Sequence, residues 1–326
     1  MIITKTPYRV SLFGGGTDHP VWYREHGGEV LSFAIDKYCY ISTRILPPFF
    51  NHKYRIVYSE MELPNSVNEI KHPAVREGIR KYAANLFLEV QHHGDLPARS
   101  GVGSSSAFAV GLIHSLYLLQ GKTISASDLA TEAITLEQDD CKETVGSQDQ
   151  VACALGGMNY LTFGNEINWQ AESIKLSPLQ KEDIEDRMVL IYSGINRLSS
   201  DISKTFLDNL DSKKKALIRT AELARESRDL IKNAGDLDLI GAMLQESWSL
   251  KRQMNSQSVT SDLEDLNTRA QKAGALGGKI LGAGGGGFCM FWVKSGERED
   301  FLSRFNTGVH VPAKISITGS TCLLKA

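Results

Sequence analysis

At 326 residues the chain exceeds what one hydrophobic core usually supports, so two domains are expected. Hydrophobic residues make up 42% and charged residues 23%, and a formal net charge of −2 offers no global attraction for nucleic acid. Five cysteines without C-x-x-C spacing argue against a disulfide framework or zinc site, and no apolar run suits a signal peptide or membrane span. A cytoplasmic protein with a small-molecule partner is the expectation.

Ile2 to Leu12 reads as a strand. Glu29 to Leu46 and Tyr54 to Ser59 alternate β-branched and aromatic residues on either side of Pro47-Pro48, as an antiparallel pair would. Phe87 to His92 reads as a strand feeding the loop Leu96-Pro-Ala-Arg-Ser-Gly-Val-Gly-Ser-Ser-Ser-Ala107, and a helix follows over Ser105 to Leu119. A second helix spans Leu129 to about Asp140, with Ser125, Ser127 or Asp128 as its cap. A hinge is expected near Leu176 to Asp186, dividing the chain into domains 1–180 and 181–326. Beyond it Arg187 to Ser193 reads as a strand, while Lys213 to Asn233 and Asp236 to Asn255 carry helical apolar spacing.

Three glycine-bearing segments, Pro7 to Asp18, Pro97 to Ala107 and Gly278 to Phe288, hold the chemistry. The middle one opens a buried helix, whose unpaired first-turn N–H groups and partial positive charge suit a phosphate. The third, Gly282-Ala-Gly284-Gly-Gly-Gly287, formally satisfies G-x-G-x-x-G, but strand-like Phe288-Cys-Met-Phe-Trp-Val293 follows where a dinucleotide fingerprint needs a helix. No glycine loop ends in the Lys-Ser/Thr of a Walker A motif. A tight turn is the plain alternative for the third segment, although its four consecutive glycines exceed what a turn needs.

In order, Pro7-Tyr-Arg9-Val-Ser11-Leu-Phe-Gly14-Gly-Gly-Thr17-Asp18, Pro97 to Ala107 and Lys279-Ile-Leu-Gly282-Ala-Gly-Gly-Gly-Gly287 resemble the three motifs of the GHMP kinases, the family of galactokinase, homoserine kinase and mevalonate kinase. The resemblance implies an α+β, two-domain fold, a ribosomal S5 domain 2-like N-terminal domain and a ferredoxin-like C-terminal domain, with ATP and acceptor meeting in the cleft between them. It implies that Pro97, Ser100, Gly101, Val102, Gly103, Ser104, Ser105 and Ser106, with Gly284 and Gly285, bind the nucleotide. Ser105 would offer an oxygen to Mg²⁺ and an acid would supply the second ligand. Glu137 shares an otherwise apolar helical face with Ala130, Ile134 and Cys141, and the family's metal-binding glutamate precedes its aspartate by the same interval; Asp139, Asp140 and Glu143 are alternatives. Asp149 resembles the family's G-x-x-D aspartate, as general base or as the group orienting the hydroxyl, and Arg9 supplies its counter-charge.

Galactokinases carry Gly-Glu-His-x-Asp where this chain has Gly14-Gly15-Gly16-Thr17-Asp18, so two sugar contacts are missing. The stretch Arg9 to Tyr40, with Tyr192 to Ser200, Trp248 to Lys251 and Gly274 to Lys279, instead resembles bacterial D-glycero-D-manno-heptose 7-phosphate kinases and related fucokinase domains. That implies phosphorylation of the anomeric hydroxyl to a 1,7-bisphosphate, toward nucleotide-activated heptose for surface polysaccharide, by a possible homodimer. Ser11, Gly15, Gly16, Thr17, Asp18 and Gly146 would contact the sugar; Arg197, Lys251, Arg252, Lys37 or Arg76 would hold its distal phosphate. Adenine would lie against the loop between Ser59 and His72. L-fucose or another sugar is the alternative acceptor, and a nucleotide-sensing regulator without turnover is the alternative class.

Overall fold

The computed structural model describes residues 1–164, 168–195, 210–255 and 258–325. Its spine is a pair of long antiparallel strands, β1 (Ile2–Phe13) and β2 (Gly28–Ile45). β2 is long enough to serve two neighbours: its first residues pair with β6 (Met158–Phe163) and its last with β5 (Leu88–Gly94). β3 (Arg55–Val57) and β4 (Met61–Glu62) extend the sheet beyond β5, and β7 (Trp169–Ser173) extends it beyond β6. The other edge of β1 is covered by β12 (Thr321–Lys325), so the final strand returns to the sheet that begins the chain.

Helix Ser104–Leu119 packs on β1 and β2. It is apolar on nearly every side, as a helix clamped between layers must be. Residues such as Ala107, Leu112 and Leu116 are completely buried there. The second sheet is antiparallel throughout, in the order β11 (Val309–His310), β8 (Met188–Tyr192), β10 (Phe288–Trp292), β9 (Gly277–Ile280). Helix Asp238–Met254 covers β9, while helix Leu210–Lys232 packs against β1 and β2 and joins the halves.

Several sequence expectations change. Glu29 to Leu46 and Tyr54 to Ser59 do not pair with each other: β5 lies between them, and β3 runs parallel to it. The expected hinge at Leu176 to Asp186 is helix Pro178–Arg187, started by a Ser177/Gln180 capping box with Pro178 in its first turn. β12, from beyond residue 180, pairs with β1 in the first sheet. The helix expected over Leu129 to Asp140 is α-helical from Ala126 to Thr135, capped by Ser125, and then makes one π turn over Leu136–Asp140.

Candidate active site

All three glycine segments meet in one cleft between the sheets, with a cavity of about 250 Å³. Gly101 and Gly103 have φ of +85° and +74°, a backbone that side-chain-bearing residues adopt only at a cost, and Gly103 thereby caps helix Ser104–Leu119 with its first amides aimed at the cleft. Gly101, Gly103 and Ser104 to Ser106 line the cavity.

β1 delivers Arg9 and Ser11 beside interruptions of its register with β2, irregularities of the kind that re-aim side chains at sites. The guanidinium donates from Nε and Nη2 to Asp149 Oδ1 and Oδ2 at 2.7 and 2.5 Å, and from Nη1 to Gly101 O at 2.7 Å. Burial works against the arginine's charge, but the Asp149 carboxylate more than offsets it and keeps the guanidinium firmly protonated. One arginine therefore ties the phosphate loop to the aspartate.

Asp149 stands in the first turn of helix Gln148–Leu155. Just before it, Gly146 leaves space for Asp18: a Cβ at position 146 would lie 1.9 Å from Asp18 Oδ2. Asp18 is fixed by the amides of Gly16 at 2.9 Å and Gln148 at 3.3 Å. Gly15, Gly16, Ser11 and Gln148 complete this wall. The Ser11 hydroxyl and the Gln148 side-chain carbonyl have no hydrogen-bond partner among the described residues, so two buried polar atoms are open to a hydroxyl-rich ligand.

Beneath the phosphate loop, the π turn presents Glu137, almost fully buried. It accepts hydrogen bonds from Ser105 Oγ (2.5 Å), Ser106 Oγ (2.7 Å) and Gln150 Nε2 (2.6 Å). Burial pushes its carboxyl up to about 7 despite those donors. A buried carboxylate under two hydroxyls is an all-oxygen donor set suited to a hard divalent cation that takes its remaining ligands from phosphates and water. No cluster of three or more His, Cys, Asp or Glu side chains suited to a metal occurs among the described residues. The oxygens of Ser105 and Glu137, 2.5 Å apart, are of the type that Mg²⁺ takes, two donors where phosphates and water would supply the rest.

Other expected residues lie elsewhere. Thr17 is buried and bonds Gly14 O and Glu29 O; Ser100 bonds Pro97 O; Val102 is core. Pro97, Ser100, Val102 and Thr17 support the site without lining it. Gly284 and Gly285 are also outside the lining, which takes Gly282 and Ala283 from that segment, and the Gly285 amide is used by Ser258 O. The third segment instead packs on the phosphate loop: a Cβ at Gly282 would strike Gly101, and one at Gly287 would strike Ser100. Lys251 reaches the cleft, whereas Lys37, Arg76 and Arg252 pair with Asp36, Glu77 and Glu264. Arg197 lies outside the described residues, and no residue between Ser59 and His72 lines the cleft. Sequence reasoning missed Gln148, His19 and Lys279; the last lies in the short Gly-Gly-Lys-Ile strand, which is buried throughout but offers no apolar stripe in the sequence against which the lysine would stand out.

A helix N-terminus for phosphates, a metal-competent acid beneath it, and an arginine-bound aspartate opposite define a phosphotransferase site acting on a hydroxyl group. Models of the GHMP kinases N terminal domain and of the GHMP kinases C terminal match residues 68–157 and 223–310, together more than half of the chain, and the chain belongs to the GHMP kinases. These kinases use ATP.

Among its relatives is a D-glycero-alpha-D-manno-heptose 7-phosphate kinase of Campylobacter jejuni, 28% identical over 92% of each chain. A bifunctional fucokinase/GDP-fucose pyrophosphorylase of Arabidopsis thaliana is 24% identical over 90% of this chain and 30% of its own length. The fold matches a crystal structure of a D-glycero-D-manno-heptose 1-phosphate kinase from Bacteroides thetaiotaomicron with a TM-score of 0.80 over the whole of both chains, at 22% identity. No helix among the described residues is long and apolar enough to cross a membrane.

Proposed function

We propose that this kinase phosphorylates the anomeric hydroxyl of D-glycero-D-manno-heptose 7-phosphate, giving the 1,7-bisphosphate and ADP. The observation that carries the chemistry is the two-point Arg9–Asp149 pair joined to Gly101 O of the phosphate loop. The amides at the start of helix Ser104–Leu119 receive the triphosphate. Asp149 accepts the hydroxyl proton as the acceptor oxygen bonds to the γ-phosphorus and the bond from phosphorus to the β-phosphate oxygen breaks. Arg9 orients the carboxylate and meets charge on the phosphoryl oxygens. Bound at Ser105 and Glu137, Mg²⁺ would neutralise β- and γ-phosphate oxygens.

Two features support a heptose phosphate over galactose. Gly15 and Gly16 leave room where galactokinases carry two sugar-binding side chains, while Asp18, Ser11 and Gln148 still offer acceptors for hydroxyls. The Campylobacter relative named for this substrate matches nearly the whole chain. The product belongs in synthesis of nucleotide-activated heptose, in the cytoplasm. The test is ADP release by purified protein with ATP, Mg²⁺ and a panel containing heptose 7-phosphate, heptose 1-phosphate, L-fucose, galactose and mevalonate. Turnover of L-fucose with none on heptose 7-phosphate would overturn the acceptor, and no turnover on any member despite nucleotide binding would favour a regulator.

A further inference from the structure

β9 is buried along its whole length yet carries Lys279, whose Nζ donates to Leu12 O of β1 at 3.0 Å, across from one sheet to the other. Lys251, on helix Asp238–Met254, donates to Ile280 O at 3.0 Å and Gly282 O at 2.5 Å. Both line the cleft near Arg9. Neither lysine makes an ion pair among the described residues, and backbone carbonyls are the acceptors recorded for both. A desolvated ammonium is only partly compensated by carbonyl dipoles.

The charged or titratable groups acting on the pair are Arg9 of β1, Asp18 beyond its end, Cys289 of β10, and each other. Asp149 is committed to Arg9, and the Asp18 carboxylate to the amides of Gly16 and Gln148. The cleft thus holds four Lys and Arg side chains, Arg9, Arg99, Lys251 and Lys279, with His19 beside them, against the two committed carboxylates of Asp18 and Asp149. Burial, with Arg9 nearby, pushes Lys251 down to about 7. Burial pushes Lys279 well below the usual lysine range, and repulsion from Lys251 and Arg9 adds to it. What the two lysines lack is an anion in direct contact, since carbonyl oxygens take their hydrogen bonds.

We propose that Lys251 and Lys279 are phosphoryl-binding residues, a basic pair on the second-sheet side of the cleft that engages the phosphoryl group in transfer. The inference rests on the kinase reading of the cleft and not on the identity of the sugar. Lys251 goes with the reacting phosphoryl group rather than with the sugar's own phosphate because its ammonium sits on Gly282, which packs directly against Gly101 of the phosphate loop. An arriving phosphate supplies the missing charge, so binding brings protons onto the pair.

The test is calorimetric titration of wild type, Lys279→Arg, Lys279→Met and Lys251→Met at pH 8 with a non-hydrolysable ATP analogue and Mg²⁺, without sugar, in buffers of contrasting ionisation enthalpy. Wild type is expected to take up about one proton more than Lys279→Arg, whose guanidinium is charged before and after binding. Both methionine variants should bind the analogue at least tenfold more weakly, while Lys279→Arg stays closer to wild type. Proton uptake and affinity unchanged in every variant, even with thermal stability lowered, would reduce the lysines to ties between the sheets and overturn the proposal. Folded wild type that binds no analogue would overturn the kinase reading itself.

Discussion

Replacing Asp149 with asparagine preserves volume and removes one charge. In the wild type, Nε and Nη2 of Arg9 meet the two carboxylate oxygens at 2.7 and 2.5 Å. In Asp149→Asn one of those oxygens becomes an NH₂ group, so an arginine donor faces another donor and the buried guanidinium loses its counter-charge. Breaking a fully buried pair costs about 3–5 kcal/mol. The Asp149 side chain is 24% exposed and the amide keeps one acceptor, so solvent and the surviving bond reduce the expected loss of stability to about 1–3 kcal/mol. The effect on turnover is larger, because the variant has neither a proton acceptor nor an oriented Arg9: kcat should fall by about 10²- to 10⁴-fold, or roughly 3–5 kcal/mol of barrier. Nucleotide affinity should hold within about threefold, since the amides after Gly103 are untouched. A coupled ADP-release assay, titration with an ATP analogue and a thermal melt separate these terms. A kcat within about fivefold of wild type, with the melting point lowered as expected, would refute the assignment of Asp149 to proton transfer.

Glu137→Gln should raise the Mg²⁺ concentration needed for half-maximal activity at least tenfold while leaving sugar affinity near wild type; an unchanged metal titration would remove Glu137 as a ligand. Gly146→Ala puts a methyl 1.9 Å from Asp18 Oδ2 and must drive that carboxylate off the Gly16 and Gln148 amides, so the acceptor KM should rise about tenfold or more with the ATP KM little changed. Equal shifts in both constants would mean a general collapse of the loop. His72, stacked on Phe108 with centroids 4.6 Å apart, is pushed by burial down to about 4. The unfolded chain then binds more protons between about pH 6.5 and 4, so folding stability falls as pH drops through that window, by roughly 2–3 kcal/mol in total. Melts of His72→Phe across pH 4 to 7 should lose most of that slope; an identical slope would place the acid sensitivity elsewhere.

Local chemistry was legible wherever the residue type permits one explanation. Gly101 and Gly103 take backbone conformations that favour glycine, so the tight loop opening helix Ser104–Leu119 is signalled by its glycines. Glu137 stands out as an acid in an apolar stripe. The π turn that aims it, closed by Cys141 N to Leu136 O at 2.8 Å, has no local signature, because the inserted residue is stabilised by what surrounds the turn. Helix Pro178–Arg187 failed for a different reason. Its capping box was visible in Ser177-Pro-Leu-Gln180, but only Ile184 is buried, so a polar helix passes for a linker when apolar spacing is the criterion. The pairing of β2 with β5 was hidden because register across forty residues depends on partners that no window contains.

The third glycine segment reaches the cleft through Gly282 and Ala283 and meets the glycine loop before helix Ser104–Leu119 by close packing. Four consecutive glycines invite the idea of amides around a phosphate, yet Gly285 spends its amide on Ser258 O and Gly287 spends its own on Ile195 O. What the glycines supply is absence of bulk. Gly282 against Gly101 and Gly287 against Ser100 bring the turn between β9 and β10 into backbone contact with the phosphate loop, and a single Cβ at either position would force the two apart. That contact also sets Lys251 beside the loop, since its ammonium is held by Gly282 O. Gly282→Ala should therefore weaken nucleotide binding at least tenfold although residue 282 need contribute no hydrogen bond to ATP, with a thermal melt confirming that the variant is folded. Unchanged nucleotide affinity in folded Gly282→Ala would mean that the loop holds its shape without the second sheet, and the coupling between the two halves would have to be sought elsewhere.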